Sequence, residues 1–299
     1  MEEIKKAFAT LGETVGSRPK IKIMLRQFAW FVLSSAVVLK ISPGFAQGNL
    51  VPPGAPAPVM KSLDQLEPRM PVSALPFVIT QPGAYYLTTN LYGQASDYGI
   101  QILTNNVTLD LNGFALRGHT NSFDGIVIFQ SSSNVVVSGG SLTGWGTGFY
   151  AVRGLARHST YQQLTIVGNS FGVSCSDGSV IRDCMIGSNQ RDGIDVNGNG
   201  SFVLNNTLAG NNSLGGPGNV ALGVYGTANR IEGNHITVNN GGFGIYGNIS
   251  GFTNNIVVRN SVIGAGVNNY SIISGNIVGP FINVTGTITN ANPWANFSF

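Results

Sequence analysis

The apolar residues of this chain fall in short runs, and glycine or asparagine ends each run. Within the runs, Val, Ile and Leu alternate with small polar residues, for example over 203–208, 231–236 and 257–262. Such alternation predicts short β-strands, because neighbouring side chains of a strand point to opposite faces. No helix of ordinary length fits between these runs. The pattern therefore predicts an all-β protein.

One phrase that begins with glycine returns seven times, and its spacing predicts a solenoid. The glycines are Gly99, Gly125, Gly148, Gly172, Gly193, Gly223 and Gly244. Their separations of 21 to 30 residues are typical of coils that stack because none can bury its apolar face alone. Coils of this length that hold short strands and no helix predict a right-handed parallel β-helix, of about nine coils.

Two series of asparagines predict ladders that link the coils. The first series is Asn206, Asn234, Asn260 and Asn276. The second series is Asn169, Asn189, Asn211 and Asn239. We expect the amides of each series to stack at one turn and to bond along the ladder, as in other stacked-strand structures.

The glycine-led repeats and the asparagine turns resemble those of the pectate-lyase-like superfamily. They more closely resemble secreted bacterial β-helix proteins with carbohydrate-binding and sugar-hydrolase type repeats. The resemblance covers residues 76–290 and implies a right-handed parallel β-helix. It does not fix the function, because one scaffold hosts many chemistries.

The segment before the repeats is predicted to direct export. An apolar run of 12 residues, Phe28–Leu39, follows basic residues and leads to Gly44-Phe45-Ala46. A membrane span needs about 20 residues, so the run suits a signal peptide, with cleavage after Ala46. We expect a secreted or periplasmic protein without a membrane span in the mature chain, the alternative being an uncleaved anchor. Met24 would begin a more ordinary signal peptide, which makes residues 1–23 a candidate start-site artefact.

The remaining chain divides into a linker, two caps and the repeat domain. Residues 47–59 form a proline-rich linker, and 60–75 form an N-terminal cap with a short helix over 60–67. The β-helix domain spans 76–290, and 291–299 form a C-terminal cap with Trp294, Phe297 and Phe299. The caps would cover strand edges that a β-helix leaves unpaired.

Charge and cysteine content narrow the partners. The net charge is +3, but residues 1–46 carry +4, so the remainder sums to 3 − 4 = −1 and offers no basic surface for nucleic acid. Without Cys-x-x-Cys, a His-rich tract or an acidic calcium repeat, we predict no metal or other cofactor. The repeat alignment predicts that Cys175 points inward and Cys184 outward, which separates the two thiols. The sequence does not fix the oligomeric state.

Period two assigns a face to each residue after the repeated glycine. The predicted inward residues are Ile100, Ile126, Phe149, Val173, Ile194, Val224 and Ile245. The next residues, predicted to point outward, are Gln101, Val127, Tyr150, Ser174, Asp195, Tyr225 and Tyr246. Two positions further, the outward set is Leu103, Phe129, Val152, Ser176, Asn197, Thr227 and Asn248.

This outward surface suggests a site for polysaccharide. The candidate binding residues are Tyr150, Ser174, Asn197, Tyr225, Tyr246 and Asn248. Aromatic rings can pack on the apolar faces of sugars while polar side chains bind the hydroxyls. The alternative is that tyrosine, a common strand residue, makes ordinary cross-strand pairs here.

Asp192 and Asp195 are the candidate catalytic residues. The segment Asp192-Gly193-Ile194-Asp195 resembles the Asp-Gly-Ile-Asp element of polygalacturonases, whose aspartates act as general acid or as base for water. The rest of that family's acidic and His/Arg signature is missing. On an extended chain the two Cα atoms would lie about 10 Å apart, at the limit of the about 5 to 9.5 Å between carboxyls that hydrolysis needs. Asp192 has a second interpretation as a turn residue.

The sequence therefore predicts a protein that binds polysaccharide along this face. Cleavage, by polysaccharide lyase or glycoside hydrolase chemistry, stays open. The rival hypothesis is a non-catalytic structural or surface-adhesion solenoid whose repeats only make a stable rod.

Overall fold

The structure is a computed structural model, and it describes residues 68–146, 148–237 and 240–299. The predicted signal peptide, linker and short helix lie outside the described residues. The strand that follows, Met70–Val72, falls within the predicted N-terminal cap. Among the described residues no helix is long and apolar enough to cross a membrane.

The described chain consists of short strands. In chain order they are β1 (Met70–Val72), β2 (Phe77–Ile79), β3 (Gly83–Leu87), β4 (Leu91–Tyr92), β5 (Ile100–Ile102), β6 (Val107–Asp110), β7 (Ala115–Arg117), β8 (Ile126–Ile128), β9 (Val135–Thr143), β10 (Tyr150–Gly154), β11 (Thr160–Val167), β12 (Phe171–Cys175), β13 (Val180–Arg182), β14 (Met185–Gly187), β15 (Ile194–Val196), β16 (Phe202–Leu204), β17 (Thr207–Ala209), β18 (Val220–Val224), β19 (Arg230–Glu232), β20 (His235–Thr237), β21 (Phe243–Gly247), β22 (Ile256–Val258), β23 (Ser261–Ile263), β24 (Asn268–Ile272), β25 (Ile277–Val278), β26 (Phe281–Asn283) and β27 (Asn296–Ser298).

These strands wind into a right-handed parallel β-helix, which confirms the predicted fold. One sheet has nine strands in the order β2-β5-β8-β10-β12-β15-β18-β21-β24, and we call it the glycine-led sheet. A second sheet of 18 strands covers the rest of each coil. Each coil contributes one strand to the glycine-led sheet, and the eight steps between its nine strands correspond to about eight turns of the helix. The sequence predicted about nine coils.

The core is a stack of apolar side chains inside the coils. The inward residues Ile100, Ile126, Val173, Ile194 and Ile245 are each 0% exposed. Each such side chain contributes roughly 1.5 to 3 kcal/mol by leaving water. The period-two assignment thus placed most of the inward residues correctly.

Buried asparagines join the coils in ladders on the other side of the helix. In the first ladder the Nδ2 of each asparagine donates to the Oδ1 of the next, along Asn206, Asn234, Asn260 and Asn296, over 3.0, 3.0 and 3.1 Å. The prediction that Asn276 belongs here is wrong. Asn276 instead accepts from Asn255 at 2.9 Å, in a separate ladder.

The second predicted ladder is confirmed where the structure describes it. Asn169 donates to Asn189 over 3.2 Å, and Asn189 donates to Asn211 over 2.8 Å. Asn239, the predicted fourth member, lies outside the described residues. These amides are fully buried, so each bond spares a polar group that would otherwise lack a partner.

The two cysteines are both free thiols inside the helix. Cys175 points inward as predicted and pairs with Val196 on the next strand. The outward prediction for Cys184 is wrong, because this residue is 3% exposed. Its backbone N–H donates to Oδ1 of Asn206, so it lies one position earlier in the coil than the repeat alignment placed it.

Candidate functional site

The register of the glycine-led sheet differs from the predicted one at two coils. Ile194 pairs with Leu222, and Asp195 pairs with Gly223, so Gly223 lies two positions beyond Gly193 in the coil. Likewise Val152 pairs with Ile126 and is buried, which contradicts its predicted outward position. Phe149 precedes the strand and is absent from the inward column.

The need for a small residue at one sharp bend of each coil explains this difference in register, and we call this bend the corner. The residue that precedes each inward position must be small: a Cβ added at Gly172 would lie 2.1 Å from the carbonyl oxygen of Gly193. In the two shifted coils, Ala151 and Ala221 fill this corner and are buried. Gly148 and Gly223 do not occupy this corner, so an alignment of the repeats on glycine alone gives the wrong register at these two coils.

Three outward columns run up the sheet across β10, β12, β15, β18 and β21, and together we call them the aromatic face. The leading column, just before the corner, holds Tyr150, Phe171, Asp192, Val220 and Phe243. The central column holds Arg153, Ser174, Asp195, Gly223 and Tyr246. The trailing column holds Leu155, Ser176, Asn197, Tyr225 and Asn248. Because the chain turns at the corner, the leading and central columns both face outward.

Asp192 holds the backbone of the next coil. Its Oδ1 accepts the N–H of Val220 at 2.7 Å. Asp124, at the same position three coils earlier, accepts the N–H of Tyr150 at 2.8 Å in the same way. Burial raises the pKa of Asp192, while the bond from Val220 and the charge of Arg191 oppose that rise. This contact is what a turn residue would make, and it occupies one of the two carboxylate oxygens of Asp192.

Asp195 is the most unusual polar residue of the face. Its residue surface is 3% exposed, and the Tyr150 hydroxyl donates to its Oδ2 at 2.8 Å. Its Oδ1 is buried and has no hydrogen-bond partner among the described residues. Burial, and next the charge of Asp192, raise the pKa of Asp195 to about 8, although the bond from Tyr150 opposes the rise. Burial and the neighbouring charge of Asp192 therefore both favour the protonated form of this carboxyl.

Tyr225 lies over the central column although its backbone belongs to the trailing column. A Cβ added at Gly223 would lie 2.5 Å from two atoms of the Tyr225 side chain, so the ring occupies the outward space that Gly223 leaves open. That space adjoins Asp195, the strand partner of Gly223. Tyr225 and Tyr246 are neighbours, as predicted, with ring centroids 6.5 Å apart. Phe243 extends this upper cluster, 4.9 Å from the Tyr246 ring.

A second aromatic cluster lies on the other side of the carboxyls. The rings of Tyr150 and Phe171 are 4.8 Å apart. The guanidinium of Arg191 lies 5.5 Å from the Phe171 ring, and that of Arg153 lies 6.0 Å from the Tyr150 ring. Asp192 and Asp195 therefore lie between two aromatic clusters, with cations beside the lower one.

The predicted site residues divide into two groups in the structure. Tyr150, Ser174, Asp195 and Tyr225 meet in and beside the central column, although Tyr150 reaches it from the leading column. Ser174 is the strand neighbour of Asp195 and is 4% exposed. Asn197 and Asn248 are exposed in the trailing column, where the Tyr246 hydroxyl donates to the carbonyl of Asn248 at 3.3 Å.

Sequence reasoning missed Phe171, Phe243 and Arg191. Each phenylalanine stands directly before a corner glycine, at Phe171-Gly172 and Phe243-Gly244. That position was not assigned to a face, because strict alternation from the glycine gives the residue before it no outward role. The recurrence of a large residue before a small corner residue was the available signal. Within the described ranges, no three His, Cys, Asp or Glu side chains are grouped so that they could hold a metal ion.

The fold and this face define the molecule as a parallel β-helix protein with an aromatic and acidic sheet surface. No protein-family model matches the chain, and no curated protein matches it. Among solved structures, it is similar to an alginate lyase from Paenibacillus sp. str. FPU-7, with 14% sequence identity and a TM-score of 0.49. The alignment covers 77% of this chain and 87% of that one. Likeness at this level identifies neither a ligand nor a reaction for this protein.

Proposed function

We propose that this protein binds a polysaccharide chain along the aromatic face. The observation that carries the proposal is the position of Asp192 and Asp195 between two aromatic clusters on one outward sheet surface. Strands in a sheet lie about 4.8 Å apart, so the five strands from β10 to β21 extend about 19 Å. That length accommodates a segment of a sugar chain rather than a single sugar.

The chemistry of the face fits sugar rings. The rings of Tyr150, Phe171, Tyr225 and Tyr246 are half-buried and present apolar surface beside polar groups. Sugars offer the same combination, an apolar ring face with hydroxyls at its edge. Arg191, exposed over Phe171, adds a donor for hydroxyl or carboxylate groups of the chain. We further propose that the protein acts outside the cytoplasm, as the signal-like segment before residue 47 indicates.

Two kinds of measurement test the proposal. The purified protein is passed over immobilised alginate, polygalacturonate and xylan, and each soluble glycan is also incubated with it. Retention on one of them supports binding. Unsaturated products would assign lyase chemistry, and new reducing ends without unsaturation would assign hydrolysis. Failure of all three glycans to bind or change would contradict the proposal and favour the rival hypothesis of a structural rod.

Tyrosine substitutions locate the site. We expect Tyr225→Ala combined with Tyr246→Ala to weaken retention about tenfold or more, because two ring contacts are lost, each worth about 0.5 to 1.5 kcal/mol. Tyr92→Ala is the matched control, since Tyr92 is 65% exposed on β4 of the other sheet. Unchanged retention by the double variant, with its melting temperature preserved, would move the site away from this face.

A further inference from the structure

The Asp195 carboxyl has a hydrogen-bond partner at only one of its two oxygens. Its Oδ2 accepts the Tyr150 hydroxyl, whereas its Oδ1 is buried without a partner among the described residues. A buried polar atom without a hydrogen bond costs about 1 to 3 kcal/mol, so native proteins keep few of them. Such an atom, beside the Tyr150 and Tyr225 side chains of the aromatic face, is well placed to receive a ligand group.

Among the groups around Asp195, the hydrogen bond from Tyr150 favours the ionised form, but burial and the charge of Asp192 outweigh it. Tyr150 and Arg153 lie on β10, Tyr246 lies on β21, Tyr225 directly follows β18, and Asp192 lies two residues before β15. Cys175, on β12, points into the core behind it. The cation among these groups, Arg153, pairs with Asp124, whose Oδ2 is 3.7 Å from its guanidinium. Asp192 adds a like charge, which favours the neutral form of Asp195.

Tyr225 closes the outward side of this carboxyl. The side chain lies in the space above Gly223, directly beside Asp195 in the central column. Gly223 is essential for that position, because any Cβ there would collide with the side chain at 2.5 Å. The collision involves the far end of a side chain, so the ring can move away without a change in the backbone. Rotation about the side-chain bonds of Tyr225 is therefore enough to move the cover.

We propose that Tyr225 is a movable cover over Asp195, and that a saccharide chain which moves the ring aside, and packs against it, reaches the unpartnered Oδ1 of this carboxyl. This inference rests on the proposed function and adds a role for one residue within the same face. Because Oδ2 already accepts from Tyr150, the proton belongs on Oδ1. The exposed O–H then donates a hydrogen bond to an oxygen of the chain, which satisfies the orphaned atom. In this step no covalent bond breaks.

The cover can be tested without any ligand. Carbon-detected NMR titration of the aspartate carboxyls, with Asp195→Asn used for assignment, should find Asp195 titrating near pH 8 in the wild-type protein. In Gly223→Ala and in Tyr225→Ala, water should reach the carboxyl, and its titration midpoint should fall by about one pH unit or more. Gly218→Ala is the matched control, since nothing lies within 4 Å of a Cβ there, and its midpoint should equal that of the wild type.

Either of two results would contradict the proposal that Tyr225 covers Asp195. One is an Asp195 midpoint near the ordinary aspartate value in the wild-type protein. The other is a midpoint that stays near 8 in both Gly223→Ala and Tyr225→Ala while their melting curves match the wild type.

Glycan retention then tests the proton itself. On the glycan resin that retains the wild-type protein, affinity should fall about tenfold between pH 6 and pH 9, as the donor on Asp195 is lost. Asp195→Asn keeps a neutral donor at every pH, so its retention should not change over this range. Equal pH dependence in both proteins would refute the role of the proton. Absence of retention at every pH would instead refute the proposed function, while the titration result for the cover would stand.

Discussion

Two buried carboxyls on one sheet, Asp124 and Asp195, have opposite surroundings. Oδ1 of Asp124 accepts a backbone N–H, and its Oδ2 lies 3.7 Å from the Arg153 guanidinium. Asp195 accepts only a phenol and lies beside the like charge of Asp192. Tyr150 serves both carboxyls, giving its N–H to Asp124 and its O–H to Asp195. Each carboxyl has one buried oxygen without a hydrogen bond, Oδ2 in Asp124 and Oδ1 in Asp195. The oxygen of Asp124 has a cation 3.7 Å away, whereas Asp195 has the like charge of Asp192 beside it, and this difference in charge separates scaffold from site.

The largest loss of stability should come from substitution of the buried isoleucine close in sequence to each carboxyl. Ile194→Asp and Ile126→Asp each place a carboxylate in a column that is 0% exposed, and each should lower the free energy of unfolding by at least about 4 kcal/mol. Chemical denaturation measures the loss. Val78→Asp is the control, because Val78 is 45% exposed on β2 and should change stability by less than about 0.5 kcal/mol. A normal unfolding curve for Ile194→Asp would show that this position is not inside.

The next effect concerns pH and distinguishes Asp195 from an ordinary surface aspartate. Folding raises the pKa of Asp195 to about 8, so the folded state binds more protons than the unfolded state. Wild-type stability should therefore fall as pH rises from about 4 to about 8, and stay low above that range. Asp195→Asn cannot ionise, so it should be more stable than the wild type at pH 9, by about 1 to 3 kcal/mol, and nearly equal at pH 4.

Denaturation curves of both proteins at a series of pH values measure this difference. Asp183→Asn is the matched control, because Asp183 lies between β13 and β14, outside the aromatic face, and its side chain is 42% exposed. Stability curves of the wild type and Asp195→Asn that stay parallel from pH 4 to pH 9 would mean that Asp195 is ionised at little cost.

The smallest effect should come from Arg153. Its side chain is 40% exposed, so water screens its attraction to Asp124, and Arg153→Gln should cost no more than about 1 kcal/mol. Burial already raises the pKa of Asp124 and Arg153 lowers it, so the substitution should raise that pKa further. The Asp195 midpoint should stay in place. Parallel shifts of both carboxyls in an NMR titration would show that the two regions are not independent.

The fold was predictable because its causes are local and repeated. Small corner residues and buried asparagines recur once per coil, and either pattern alone fixes the coil length. The exact register was not predictable from glycine, because Ala151 and Ala221 meet the same spatial demand. Asn276 was misplaced for a similar reason: two ladders use the same residue, and sequence spacing does not tell them apart.

The candidate site was predictable only in part. Ser174, Asp195 and Tyr246 share the central column, as period two predicted. Tyr150 and Tyr225 were predicted in the same column but lie in the columns on either side of it, and only their side chains reach Asp195. The burial of Asp195 could not be foreseen, because it depends on the path of the Tyr225 side chain above Gly223. The Tyr150 bond to Asp195 spans 45 residues and two coils, which no local pattern encodes.

The asparagine ladders have a consequence for how such a molecule can diversify. Each amide fixes one coil to the next at a single point, so the peptide between these points is free to vary in length. The extra residues around 212–219 illustrate this tolerance, since strands on both sides of them keep their pairings. Outer loops can therefore be lengthened or shortened while the asparagine ladders and the strand pairings stay the same.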